Sequence, residues 1–230
     1  MACILNIETS TKVCSVALAV DGITLFNKEN YIGPSHAASL GVYAEEAVAE
    51  AKRQNIAIDA IAVSSGPGSY TGLRIGVSLA KGLCYGYGVP LVSVPTLQIM
   101  SRKVIKLQKE EDAFYCPMID ARRMEVYASV YNNAGKEVVE TKAVILEENT
   151  FDDLLSQKKV FFFGDGSSKY SEILKHSGAV FIEEIAPLAN DMVELSERLF
   201  NEKQFEDAAY YEPFYLKEFQ ATVAKNKVLG

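Results

Sequence analysis

Glu8, Thr9, Ser10 and Thr11 follow a short apolar run near the start of the chain. Amides and hydroxyls at such a turn could cradle an anion, and a carboxylate there could hold the water shell of a magnesium ion. The other reading is a polar turn that satisfies its own backbone through Thr and Ser side chains. It is preferred because the second half offers no recognisable loop to close on the anion. Gly66, Gly68 and Gly72 give GxGxxxG between a strand and a helix, yet the next strand ends Ser93-Val94-Pro95, without the acidic residue a dinucleotide ribose requires. Gly164-Asp165-Gly166-Ser167-Ser168-Lys169 misses the P-loop spacing and reads as a turn with a hydroxyl capping the next helix. His36 and His176 are the only histidines and lie far apart, so neither a zinc-protease ligand set nor a Ser/Cys–His nucleophile motif is present. Asp120, Arg122 and Arg123 read as solvated turn residues, although an Arg pair suits docking of a partner or a phosphate.

These residues imply no catalytic residue, no metal and no cofactor. Composition points the same way. The 230 residues are 49% hydrophobic and 23% charged, a globular balance with ample core material. The net charge of −7, with no Lys/Arg run longer than a pair such as Arg122-Arg123 or Lys158-Lys159, argues against a chain that grips nucleic acid alone. Cys3, Cys14, Cys84 and Cys116 form no CxxC, and three of them sit in apolar contexts. Reduced, buried thiols in the cytoplasm are expected. Met1 to Ile7 carries no basic leader, and no apolar run is long enough for a membrane span.

The elements that must position these residues come in two series. Cys3 to Ile7, Val13 to Val20 and Ile23 to Asn27 form a meander whose second turn is Asp21-Gly22. A helix capped by Ser35 runs to about Gln54, with Leu40, Ala44, Ala47, Val48 and Ala51 on one face. Ile61 to Val63 and Leu91 to Val94 flank a helix from about Thr71 to Tyr87, giving a strand, crossover helix and parallel strand. On that helix Gly72, Ile75, Gly76, Leu79, Leu83 and Gly86 share a sector, and each interior Gly costs ~1 kcal/mol against Ala. Close helix approach would offset that cost, either inside the chain or against a partner. After Leu97 to Leu107 and the polar stretch Lys106 to Asp112 the opening pattern returns. Phe114 to Asp120, Glu125 to Tyr131 and about Val138 to Ile145 are strands; Thr150 to Ser156, Val160 to Phe163, Ser168 to His176, Val180 to Ile182 and Ala189 to Glu202 follow. A duplicated α/β architecture is expected, with subdomains 1–105 and 106–230.

Asp59-Ala60-Ile61-Ala62-Val63-Ser64-Ser65-Gly66-Pro67-Gly68-Ser69-Tyr70-Thr71-Gly72-Leu73-Arg74-Ile75-Gly76-Val77, followed by Ala80-Lys81-Gly82-Leu83, resembles the signature of the TsaB (YeaZ) family. These are the non-catalytic dimerisation subunits of the bacterial tRNA threonylcarbamoyladenosine machinery. Ile7-Glu8-Thr9-Ser10, Asp120-Ala121-Arg122-Arg123 with Glu125-Val126-Tyr127, and Pro213-Phe214-Tyr215-Leu216-Lys217 agree, so the resemblance covers essentially the whole chain. It implies a duplicated actin-like ATPase (ribonuclease H-like) fold with two mixed-sheet subdomains. It also implies pairing with the catalytic paralogue TsaD, an additional ATPase subunit TsaE, tRNA contacted only through the complex, and a homodimer when isolated. By analogy the partner interface comprises Leu40, Ala44 and Ala47 with Gly72, Ile75, Gly76, Leu79 and Leu83, and Gly76→Arg is expected to abolish pairing while leaving a folded monomer. TsaD carries two metal-binding histidines four residues apart where this chain has Thr96 and Met100, a hydroxyl and a thioether that suit a borderline divalent ion poorly. The competing readings are an ATP-dependent kinase or ATPase using Glu8, and a glycopeptidase, which lacks its metal ligands.

Overall fold

The computed structural model describes residues 2–32 and 36–217. The cap expected at Ser35 lies outside the described residues. The first half opens with β1 (Cys3–Glu8), β2 (Cys14–Val20) and β3 (Ile23–Asn30). Asp21 at φ 47° and Gly22 at φ 73° make the tight turn that Asp-Gly favours between antiparallel strands. After α1 (His36–Arg53), β4 (Ala60–Gly66), α2 (Tyr70–Tyr87) and β5 (Leu91–Pro95) complete a five-stranded sheet in the order β3-β2-β1-β4-β5. β1 sits at its centre and is buried throughout.

Helix α3 (Thr96–Gln108) leads into the second half. There β6 (Ala113–Asp120), β7 (Glu125–Tyr131), β8 (Glu137–Ile145), α4 (Asp152–Leu155), β9 (Lys159–Phe163), α5 (Ser167–Ile173) and β10 (Ala179–Ile182) follow, closing with α6 (Ala189–Asn201). The second sheet runs β10-β9-β6-β7-β8. In both sheets the first strand of the half is central, with its meander on one side and two parallel strands on the other. This is the duplicated α/β architecture expected from the sequence. Correspondence extends to single residues: Gly66 leaves β4 at φ 104° and Gly164 leaves β9 at φ 99°, a region costly to any side chain.

Leu5, Ile7, Ile61, Val63 and Leu91 bury one face of the first sheet against Leu40, Ala47, Val77, Ala80 and Cys84 of α1 and α2. Each large aliphatic side chain so buried contributes about 1.5–3 kcal/mol. The second sheet is covered by aromatics; Phe162 and Tyr170 meet edge to face at 5.3 Å, and Tyr115 stacks on Phe161 at 5.3 Å.

The expected extent of the second subdomain, 106–230, is corrected. Helix α6 leaves the second sheet and lies across β1, β2 and β5. Met192 and Leu195 pack there with Ile4, Ala62 and Val92, and the Ala189 N–H donates to the Ser15 hydroxyl at 2.9 Å. The reason is the open apolar face of the first sheet, which α3 alone leaves half covered. The chain then straps the first half: Glu206 N–H donates to the Leu91 carbonyl at 2.9 Å, and Lys81 Nζ donates to the carbonyls of Ala209 at 2.9 Å and Tyr211 at 3.1 Å.

Candidate functional site

The turn after β1 is stapled to the start of α2. Ser69 N–H donates to the Ser10 carbonyl at 2.7 Å, and the Thr9 hydroxyl donates to the Gly72 carbonyl at 2.8 Å. Ser69 caps α2, its hydroxyl accepting from Gly72 N–H at 3.3 Å. Gly68, Gly72 and Gly76 recur every four residues, so they face one direction as α2 begins. A Cβ built at any of them would run into Ser10 or Thr9. These glycines exist so that the hairpin can touch the helix.

That contact redistributes the residues expected to face a partner. Gly72 and Gly76 are sealed under the hairpin, and Leu40, Ala44 and Ala47 are buried in the protomer's own core. These five are corrected to internal packing residues, because the sheet and the hairpin claim the surface that the small side chains offer. Gly76→Arg would therefore break the protomer rather than probe a surface. Ile75, Leu79 and Leu83 remain half-buried at the flank of the same helix. Beside them Gly82 and Gly86 of α2 and Gly41 of α1 are exposed, and a Cβ at any of the three would meet nothing within 4 Å among the described residues. Val42 is 50% exposed on the neighbouring α1.

The weak anion candidates divide similarly. Glu8, Thr9 and Ser10 are wholly buried, and only Thr11 reaches solvent. Glu8 Oε1 accepts from Ser10 N–H at 2.5 Å, whereas Oε2 has no partner. Burial pushes the Glu8 carboxyl up to about 7, and the hydrogen bond from Ser10 N–H offsets only part of that rise. A sealed carboxylate of this kind cannot hold a metal's water shell, so Glu8, Thr9 and Ser10 form a structural turn.

Thr11 and Lys12 do line a cleft of about 780 Å3, facing Asp165, Ser167 and Ser168 of the second half. The sequence marks Gly164 to Lys169 as a turn but not its place opposite Thr11 and Lys12; Gly164 and Gly166 pack on Met118, Ile119 and Asp120 just as Gly68 and Gly72 pack on Ser10 and Thr9. Burial raises the Asp165 carboxyl despite the hydrogen bond it accepts from Asp120 N–H at 2.9 Å. Glu183 and Glu184 also line the cleft, so carboxylates outnumber the single Lys12 and phosphates find little attraction.

Thr96 and Met100 lie buried on the first turn of α3, the Thr96 hydroxyl without a partner. This donor set does not fit a divalent metal. Among the described residues no group of three or more His, Cys, Asp or Glu is placed to hold one. All four cysteines are buried, and burial raises Cys3, Cys14 and Cys84 to about 11 and Cys116 further.

A family model described as "TsaD: tRNA N6-adenosine threonylcarbamoyltransferase" matches residues 31–225. The tRNA threonylcarbamoyladenosine biosynthesis protein TsaB of Escherichia coli (strain K12) is 32% identical to this chain, across 99% of this chain and 98% of its own length. The chain belongs to the TsaB family. The TsaB of Haemophilus influenzae is 29% identical over 93% of each chain. A crystal structure from Pseudomonas aeruginosa, described as an uncharacterized protein with similarity to peptidase YEAZ, superposes with a TM-score of 0.81 at 26% identity, covering 94% of this chain and 100% of that one.

Two features in segments that resemble the family, Asp120 to Arg123 and Pro213 to Lys217, are not indicated by residue type alone. One is the β6–β7 turn, where Arg122 and Arg123 take left-handed φ values of 70° and 51°. The other is the C-terminal strap, which docks beside α2 through a hydrogen bond of 2.7 Å from Phe214 N–H to the Ser65 carbonyl. Neither the left-handed backbone nor the docking follows from a local rule, since arginine rarely adopts that region and irregular segments carry no periodicity. Among the described residues no helix is long and apolar enough to cross a membrane.

Proposed function

We propose that this chain is a non-catalytic subunit of the machinery that makes threonylcarbamoyladenosine in ANN-decoding tRNAs, acting in the cytoplasm. It pairs with a TsaD-type catalytic relative through the outer flank of α1 and α2, with a TsaE-type ATPase completing the system. One observation carries the reading. Gly82 and Gly86 each cost the helix ~1 kcal/mol, and among the described residues no atom lies where their side chains would be. Bare helix backbone of this kind, flanked by Ile75, Leu79 and Leu83, suits a second helix approaching closely. The isolated chain self-associates through the same flank.

The alternative, an ATP-dependent kinase or ATPase, has the cleft between Lys12 and Ser168 in its favour. Its carboxylate lining and the burial of Glu8 weigh against it. Incubating the isolated chain with ATP and magnesium separates the two. Absence of hydrolysis alone, with threonylcarbamoyl transfer appearing only when the chain is added to its catalytic relative, supports the subunit; turnover by the isolated chain overturns it.

A further inference from the structure

We propose that the β6–β7 turn, the C-terminal strap and the first turn of α2 form one strip that contacts RNA, Arg122, Arg123 and Arg74 neutralising phosphates and Tyr215, backed by Tyr70, offering a ring to an unstacked base. The inference deepens the functional reading above and rests on its RNA substrate.

The turn is built to present arginine. Arg122 N–H donates to Asp120 Oδ1 at 2.9 Å, and Glu125 N–H donates to the Arg122 carbonyl at 3.2 Å. Lys169 Nζ reaches under it to Asp120 Oδ1 at 2.6 Å, the Arg123 carbonyl at 2.7 Å and the Glu125 carbonyl at 2.5 Å. Two successive arginines are thereby held in the left-handed region, which costs on the order of 1 kcal/mol or more per residue. Both side chains are exposed, and no guanidinium contact with a carboxylate is formed by either among the described residues. The two nearby carboxylates are already neutralised, Asp120 by Lys169 and Glu125 by Lys217.

The strap continues the strip. Lys217, paired to Glu125, shares its field with Arg122, since both charges pull the Tyr127 hydroxyl down against the burial that raises it. Tyr215 lies 5.0 Å from Tyr70, centroid to centroid, and the Arg74 guanidinium sits 5.3 Å over the Tyr70 ring while donating to its hydroxyl at 2.7 Å. Exposed guanidinium groups at both ends, Arg74 held against Tyr70, with the partly exposed Tyr215 ring between them match a flexible, stackable polyanion better than an acidic protein face, which offers no bases to stack. The net charge of −7 does not forbid this, because Asp120 and Glu125, the acids flanking the turn, are paired, although Glu212 places one negative charge near Tyr215.

The test titrates labelled unmodified tRNA with the isolated chain at low salt, and separately with the chain assembled on its catalytic relative. The variant Arg122→Asn/Arg123→Asn removes both charges with a residue that tolerates left-handed backbone, and Arg122→Lys/Arg123→Lys keeps them. The Asn pair is expected to weaken RNA binding roughly tenfold and to lower the slope of log affinity against log salt by about 1.4–1.8, with the Lys pair close to wild type. Arg74→Gln is expected to give a further loss. Unchanged affinity and slope in the Asn pair overturn the strip, as does an equal loss in the Lys pair. Failure of the chain to assemble with its relative, while the isolated chain still binds RNA through these residues, overturns the subunit reading and leaves the strip standing.

Discussion

Asp120 stands in the second half where Glu8 stands in the first. Each ends the central strand of its sheet, and each accepts a hydrogen bond from the backbone N–H two residues on, Ser10 at 2.5 Å and Arg122 at 2.9 Å. Their surroundings have diverged. Glu8 is sealed beneath the start of α2, whereas Asp120 is exposed and paired with Lys169. Burial works against the Asp120 charge, but the hydrogen bond from Lys169 and its positive field outweigh it and hold that carboxyl below its ordinary range. One half keeps a turn that braces a helix; the other keeps a turn that displays charge.

Glu8 makes stability depend on pH. Its carboxyl is raised in the folded chain, so folding retains a proton that the unfolded chain releases. The resulting stabilisation is complete below about pH 4.5 and is lost as pH rises to about 7. Glu8→Gln, which preserves the acceptor for Ser10 N–H, is expected to be roughly 2–4 kcal/mol more stable than wild type above pH 8 and little different at pH 4.5. Chemical denaturation at the two pH values measures it, and a variant that gains nothing at high pH contradicts the assignment.

Gly76 and Gly82 lie on one helix and are expected to respond oppositely to alanine. Gly76→Ala forces a methyl against the Thr9 hydroxyl and is expected to lose about 1–3 kcal/mol. Gly82→Ala enters open space and is expected to gain up to ~1 kcal/mol in the isolated chain. Urea melts of both variants under conditions where the chain is monomeric provide the comparison; a loss at Gly82 equal to that at Gly76 contradicts the packing described.

This contrast marks how far the sequence could be read. The Asp21-Gly22 turn, the two series of strands and α2 were legible because each has a local rule: turn chemistry, alternation or a 3.6-residue period. A helical wheel, however, collapses the helix onto its cross-section. Gly76 and Gly86 share a sector, yet the hairpin covers one end of α2 and leaves the other bare. Likewise the periodicity of Ala189 to Glu202 indicates an apolar face but not that it covers the first sheet. Glu8-Thr9-Ser10 reads as a polar turn, and its residue types do not indicate that it is wholly buried.

Lys169 holds the β6–β7 turn from beneath, and its side chain is only 18% exposed. Lys169→Met is expected to cost about 1–3 kcal/mol and to return the Asp120 carboxyl toward its ordinary value. Thermal unfolding with carboxyl titration by NMR reads both effects. A turn that keeps the Asp120 carboxyl low without Lys169 contradicts its role.

Raised and buried, the four thiols are expected to resist a thiol reagent such as DTNB in the native chain and to react together on unfolding. Rapid labelling of any cysteine under native conditions contradicts that burial.

Function as a subunit depends on a partner seating on the bare flank of α2. Size-exclusion chromatography with light scattering, on the wild-type chain and on Gly82→Arg mixed with the TsaD-type relative, measures this directly. A stoichiometric complex with wild type, and a folded chain that no longer joins it after Gly82→Arg, is the expected result. An undiminished complex with the variant would contradict the assignment of that flank.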